Sequence, residues 1–197
     1  MKIIARIHND FDSKFGIPRQ SNVVQELKGR IVFEPEYRNE AALRGIEGFD
    51  YLWLIWQFSQ AVRDKWSPTV RPPILGGNTR VGVFATRSPF RPNAIGLSSV
   101  KLEKVELHTP EGPVLHISGA DLMNGTPILD IKPYLAYVDS HPEAAQGFRG
   151  QGWKRKLQVN FPSELLAKIP LEKQAGLLGV LENDPRPTYQ EDAQRIY

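Results

Sequence analysis

Residues Asp50–Phe58 read DYLWLIWQF, and this stretch decides the fold. Tyr51, Trp53, Trp56 and Phe58 alternate irregularly with Leu52, Leu54 and Ile55. Aromatic and β-branched side chains suit a pleated, packed surface, so the run reads as a strand, apolar on both faces. The longest apolar run, Tyr51 to Trp56, is far too short to span a bilayer.

Working outward, further strands are expected at the N-terminus (residues 1–8), Gly29–Phe33, Val81–Ala85, Ser99–Leu107, Val114–Ser118 and Ile128–Ile131. In Ser99–Leu107 the alternation slips: Val100 and Leu102 share one face, Val105 and Leu107 the other. A one-residue slip predicts a bulge, which bends a sheet toward closure. Asn39 caps a short predicted helix, Glu40–Arg44, that Gly45 ends. Residues 66–78, rich in Pro and Gly, are expected to be coil. Strands at short spacing, with almost no helices between them, argue for an antiparallel barrel or sandwich rather than βαβ units.

The composition changes after Pro142. Ala144–Gly152 reads as a linker. Ser163–Ile169 and Leu171–Glu182 then read as helices, with Ser163 a cap candidate. Leu171, Ala175, Leu178 and Leu181 form the expected apolar face of the second, and Asn183-Asp184-Pro185 stops it. The expected organisation is a β domain over residues 1–142, followed by a linker and a small α-rich C-terminal appendage over 143–197.

The chain of 197 residues carries a net charge of +3, so global charge does not announce nucleic-acid binding. The absence of cysteine excludes disulfides and thiol chemistry, and fits the cytoplasm. The N-terminus lacks the apolar core of a signal peptide. No membrane association is expected. Locally, Arg63, Lys65, Arg71, Arg80, Arg87 and Arg91 stand against the single acid Asp64. Both a solvated basic face and an anion-binding surface fit that run.

No Walker A motif, nucleophile elbow or zinc-protease motif occurs, and Gly76-Gly77 is no dinucleotide fingerprint. The histidines are scattered, and no metal site is expected. The unusual polar chemistry lies in four loop segments: residues 15–20, 58–60, 87–96 and 119–127. The third, with Arg87 and Arg91 among Pro89 and Pro92, is stiffened by proline and displays arginine forks suited to carboxylate or phosphate. Each segment alone also has a plain structural reading. Asn124-Gly125, for example, is a standard tight-turn pair.

Together the segments resemble one family. The strings KFGIPRQ (Lys14–Gln20), GFDYLWLIWQF (Gly48–Phe58), RPPxLGGNxRxGVFATRSPFRPNxIGLS (Arg71–Ser98, x marking positions outside the match) and DLMNGTPILDIKPYL (Asp121–Leu135) are similar to those of the TsaA-like tRNA methyltransferases. These enzymes N6-methylate N6-threonylcarbamoyladenosine at position 37 of threonine tRNA, beside the anticodon. The resemblance covers residue 1 to about 140 and continues weakly to Asp184–Pro187.

The resemblance implies a single-sheeted antiparallel β-barrel, S-adenosylmethionine as methyl donor, and a homodimer with the site near the subunit interface. It implies cofactor contacts at Pro18, Arg19, Gln20, Ser59, Gln60, Arg87, Leu97, Asp121, Leu122, Met123 and Asn124. Methyl transfer to a carbamoylated nitrogen needs a proton acceptor. Asp121, Asp130 and Tyr134 are the candidates, and Arg91, Asn93 and Lys132 are expected to hold the threonyl carboxylate or nearby phosphates. Two rivals remain, a non-enzymatic RNA-binding barrel and a methyltransferase of the same fold with another acceptor.

The chain departs from the family pattern where Arg-Ser-Pro is replaced by His8-Asn9-Asp10, so that arginine has no counterpart. Position 59 varies within the family. The end at Tyr197 precedes further β structure in many bacterial members, so an incomplete C-terminal domain is expected.

Overall fold

A computed structural model describes residues 1–151 and 156–186. Its main sheet has six strands that close on themselves: β1 (Ala5–His8), β2 (Lys28–Phe33), β3 (Tyr51–Gln57), β6 (Ile95–Glu106), β7 (Val114–Ser118) and β8 (Pro127–Pro133), in the order β1-β2-β7-β6-β3-β8. Every neighbouring pair is antiparallel, and β8 returns to β1 with Ala5 opposite Ile128. The chain is thus a barrel and not a sandwich.

DYLWLIWQF supplies β3. Leu52, Leu54 and Trp56 point into the barrel, where they meet Ile7, Ile31, Val100, Leu115, Ile117 and Ile128. Burying each such side chain contributes about 1.5–3 kcal/mol. The outer face of β3 is half-buried: Trp53 packs on Tyr134, 5.4 Å between ring centroids, and donates its indole N–H to Asp139.

The slip read in Ser99–Leu107 is real. Leu102 pairs with Ile117 and Lys104 with His116, which leaves Glu103 as the extra residue of a bulge. A second irregularity falls at Ile55/Trp56, opposite Asp130 and Ile128. A six-stranded barrel needs tight curvature, and these bulges supply it.

Two expectations in the 66–85 region need correction. Val81–Ala85 is not one strand: β5 (Val81–Gly82) pairs with β4 (Thr69–Val70) in a separate ribbon, and Val83–Ala85 turns as a 3-10 helix. Its apolar residues are used otherwise, because Val83 is buried as an anchor while Phe84 is exposed. Residues 66–78 therefore include β4 and a 3-10 turn, Pro73–Leu75.

The far end of the barrel is sealed by 3-10 turns between β2 and β3. Asn39 accepts from Ala41 N–H at 3.0 Å, as its capping role predicts, over a 3-10 rather than α-helical turn.

After β8 come α1 (Ala136–Asp139), α2 (Ser163–Leu166) and α3 (Leu171–Glu182). Ser163 is the first helical residue, with Pro162 at the cap. The leucine stripe read on α3 is not its packed face, since Leu171 is 81% exposed. The helix docks through its glycines: a Cβ on Gly179 would lie 2.6 Å from Val24 Cγ1, and one on Gly176 3.0 Å from Leu27 Cδ2. Lys173 adds an ion pair to Asp10 at 2.6 Å. Close approach of backbone to the 9–27 loop selects the face, and glycine carries no hydropathy signal for it.

Candidate functional site

One mouth of the barrel gathers the loops that follow β1, β3 and β7 and the segment that leads into β6. The loop after β7 is laced to the loop after β1. Asn9 N–H reaches Asn124 Oδ1 at 3.2 Å, Asn9 Nδ2 donates to the Leu122 carbonyl at 2.8 Å, and Asn124 Nδ2 donates to Asp12 at 2.7 Å. Asn22 N–H donates to Gly119 O at 2.8 Å, and its amide reaches Ser99 Oγ at 2.9 Å. Asn9, where the family pattern is broken, thus holds two loops together. Asn22 was not legible in sequence, and its φ of 62° is the left-handed region that asparagine tolerates.

At the centre is a chain of three side chains. Trp56 Nε1 donates to Ser98 Oγ at 3.0 Å, and Ser98 Oγ donates to Asp121 Oδ1 at 2.5 Å. The relay connects the packed interior to the mouth. A Cβ on Gly96, opposite Trp56 in the ladder, would overlap the indole, so glycine at this position makes room for the ring. Burial pushes the Asp121 carboxyl above its ordinary value. The Ser98 hydroxyl, backbone N–H groups including that of Ser21, and the nearby Arg87 charge oppose the push. Arg87 in turn donates to Gln20 Oε1 at 2.6 Å. Three of the four segments therefore converge around β6: Gln20 comes from the first, Arg87 from the third and Asp121 from the fourth, while Ser98 is supplied by the strand itself.

The other sequence candidates fall as follows. Gln20 Nε2 donates to the Arg19 carbonyl, and Arg19 reaches the Arg186 carbonyl at 3.3 Å. Pro18 is half-buried beside them. Ser59 and Gln60 are exposed in the turn after β3, which is tied to the third loop by Phe58 N–H to Ala94 O at 2.8 Å. Leu97 points out of the barrel and is 52% exposed. Leu122 lies in the hydrophobic core, so its side chain is structural and only its backbone faces the loops. Met123 is half-buried.

Arg91 braces its own loop, donating to Thr86 O at 2.9 Å, while Asn93 is exposed at the loop's end. Asp130 and Lys132 pair with each other at 2.9 Å on β8, in line with Ile55 and Trp53, and Tyr134 follows at the far end of that strand. Asp121 is the one proton-acceptor candidate inside the loop cluster. Ser98 and Trp56 were missed as site residues. The only sequence signal for them is a Gly-x-Ser inside a strand beside an aromatic one.

Among the described residues no cluster of three or more His, Asp or Glu side chains is placed to hold a metal ion, and no helix is long and apolar enough to cross a membrane. A shallow cleft on the outer face of β1, β2 and β7 is lined by His8, Lys28, Arg30, Glu103 and His116. Its lysine and arginine are satisfied by Glu103 and Glu111, so its charge is internally balanced and we do not place the site there.

The fold is a closed antiparallel barrel whose mouth presents a cation, an amide and a half-sequestered carboxylate. It is built without the βα turns of a dinucleotide fold. Residues 6–140 match the family model described as the tRNA-methyltransferase O N-terminal domain, and the chain belongs to that family. A relative from Escherichia coli K12, the tRNA (adenine(37)-N6)-methyltransferase, is 41% identical over 192 residues, covering 94% of this chain and 81% of that protein. A Pseudomonas aeruginosa protein named as a putative S-adenosylmethionine-dependent methyltransferase is 45% identical over 141 residues, covering 72% of this chain and 57% of its own. The crystal structure of TrmO from Pseudomonas aeruginosa superposes with a TM-score of 0.72 at 32% identity, covering 93% of this chain and 80% of that one.

Proposed function

We propose that the chain is a methyltransferase that uses S-adenosylmethionine to methylate N6 of N6-threonylcarbamoyladenosine at position 37 of threonine tRNA, in the cytoplasm. The observation that carries the reading is the convergence of Gln20, Arg87, Ser98 and Asp121 at one mouth of the barrel. Membership of the family supports the same reading.

The donor set fits the cofactor chemically. Arg87 offers a guanidinium for the methionine carboxylate, with Gln20 holding its orientation. Arg19, Ser59 and Gln60 belong to the loops at the same mouth, and Leu97 faces the outer wall. The Asp121–Asn124 segment offers a carboxylate and backbone groups for the ammonium, ribose or adenine. Bound there, S-adenosylmethionine supplies an electrophilic methyl group on a sulfonium.

The protein's own contribution is positioning and proton acceptance. A carboxyl whose affinity for protons is raised by burial is a better acceptor than an exposed one, and Asp121 has that environment. Arg91 and Asn93, on the same loop as Arg87, serve the substrate side.

Asp130, Lys132 and Tyr134 lie on the outer wall formed by β6, β3 and β8, together with Ile55, Trp53 and the exposed Leu97. We assign this partly apolar wall to a homodimer contact. That contact would bring the three polar residues near a mouth, and sedimentation of the purified protein tests it.

The decisive experiment supplies purified protein and labelled cofactor with threonine tRNA that does or does not carry the threonylcarbamoyl group. Label entering only the modified tRNA supports the reading. Cofactor binding with transfer to neither tRNA assigns the chain to another acceptor. No cofactor binding at all leaves an RNA-binding barrel.

A further inference from the structure

The β4–β5 ribbon and its flanks carry a second concentration of unusual surface, which adjoins the third loop at Phe90. Trp66 is 53% exposed, Phe84 72% and Phe90 38%. Trp66 and Phe84 lie beside each other, 6.0 Å between centroids with an interplanar angle of 31°. The Arg63 guanidinium sits 3.8 Å above the Phe90 ring. Val83, fully buried, anchors the ribbon, and Val83 N–H to Pro68 O at 2.9 Å extends the antiparallel pairing of its two arms. The rings are therefore held out on a fixed support, not left on a free loop.

The charges around them differ from those elsewhere on the barrel. Lys28, Arg30, Lys101 and Lys104, on the outer wall of β2, β7 and β6, all pair with Glu103, Glu106 or Glu111. Arg63, Lys65, Arg71 and Arg80 are exposed with Asp64 as the only acid in residues 59–91. Arg80 instead donates to Thr69 Oγ1 at 3.0 Å, across the ribbon. Exposed flat rings interleaved with cations that have no carboxylate partner among the described residues meet the two requirements for holding single-stranded nucleic acid: stacking surface for bases and charge for phosphates.

We propose that this ribbon is a stacking platform for the unpaired bases of the anticodon loop. Trp66 and Phe84 take base faces, and Arg63, Lys65, Arg71 and Arg80 take the neighbouring phosphates. The proposal rests on the tRNA reading above and adds to it the surface that holds the loop. A second copy of the chain fits this surface less well. A two-fold contact through the ribbon would face the same cations toward their own copies, and like charges brought together oppose association. The phosphate backbone of RNA complements them.

The test measures binding of a synthetic anticodon stem-loop of threonine tRNA, alongside cofactor affinity and sedimentation, for wild type, Trp66→Ala, Phe84→Ala and the double variant. These side chains are exposed, so the variants are expected to fold. Each truncated ring should weaken RNA binding roughly 5- to 150-fold, with cofactor affinity and sedimentation unchanged. Arg71→Ala and Arg80→Ala should each reduce the slope of log affinity against log salt by about 0.7. Lys104→Ala, on the paired wall, should leave the slope as it is.

Undiminished RNA binding by the double variant overturns the platform while leaving the methyltransferase reading intact. A change in sedimentation assigns the ribbon to a second copy and also overturns it. A wild-type protein that binds cofactor but not the stem-loop removes both the platform and the tRNA reading.

Discussion

The two ends of the barrel are built on opposite principles. At the far end the 3-10 turns between β2 and β3 lay Leu43 on the core, and Ile46 and Phe49 pack beside it. Polar groups there serve the turns from outside the core: Asn39 caps its own turn, Gly45, at φ 87°, ends it, and Glu36 and Glu40 meet Lys2 and His108 at the surface. At the mouth the polar groups are the structure. A half-sequestered carboxyl ends a hydroxyl–indole relay, and Asn22 sits in the left-handed region. Such placements cost stability and persist where function holds them. The contrast says which substitutions should uncouple stability from ligand binding, and in which direction.

The largest effect is expected at the sealed end. Leu43→Ala removes buried aliphatic volume and should cost about 2–5 kcal/mol of unfolding free energy in a denaturant titration. Cofactor affinity of the folded protein should stay the same, because nothing at the mouth touches Leu43. A parallel loss of affinity would mean that the two ends are coupled.

Asp121→Asn should do the reverse. Losing a charged partner for the cofactor should weaken binding by about 1.5–3 kcal/mol in a calorimetric titration. Stability should not fall with it. The folded protein favours the protonated form of Asp121, so that group's stabilising share is fully present below the ordinary aspartate value, about 4, and is lost as pH rises through its raised value. At neutral pH the ionised carboxylate is a cost, and asparagine removes it. The variant should therefore melt at or above wild type at pH 7. That advantage should vanish in acid, where both side chains are neutral.

Ser98→Ala tests the relay itself. It strips the acceptor from Trp56 Nε1 and the donor from Asp121 in one step. Leaving such groups unsatisfied costs about 1–3 kcal/mol. Unlike Leu43→Ala, this change should lower both stability and cofactor affinity, since the relay spans core and mouth. Intact cofactor affinity would show that Asp121 is held well enough by backbone N–H groups alone.

The same contrast governs what the sequence disclosed. DYLWLIWQF and the slip at Leu102–Val105 announce a curved strand system, because alternation and its interruption are local properties of the chain. The Asn39 cap was legible for the same reason. The closed barrel was available from the resemblance, whereas periodicity left a sandwich open. Val81–Ala85 misled because an apolar run reports burial without saying whether the backbone extends or turns. The docking face of α3 misled because two glycines set it. The relay was hidden because its members stand 42 and 23 residues apart, and only closure of the barrel brings them together. Leu122 sits inside a motif read for ligand contacts yet serves the core, since neighbouring residues on extended backbone face opposite ways.

Asn39→Ala should give the smallest effect and the cleanest one. The cap satisfies one N–H, that of Ala41, at an exposed turn, so its loss should cost about 1 kcal/mol. Water replaces the lost partner there, which keeps the penalty near that of an ordinary cap and below that of a buried orphan. Thermal melting detects the change, and cofactor titration should not. If the cap deletion weakens cofactor binding, the far end is more than a lid on the core, and the division between a stabilising end and a functional end fails at its least demanding point.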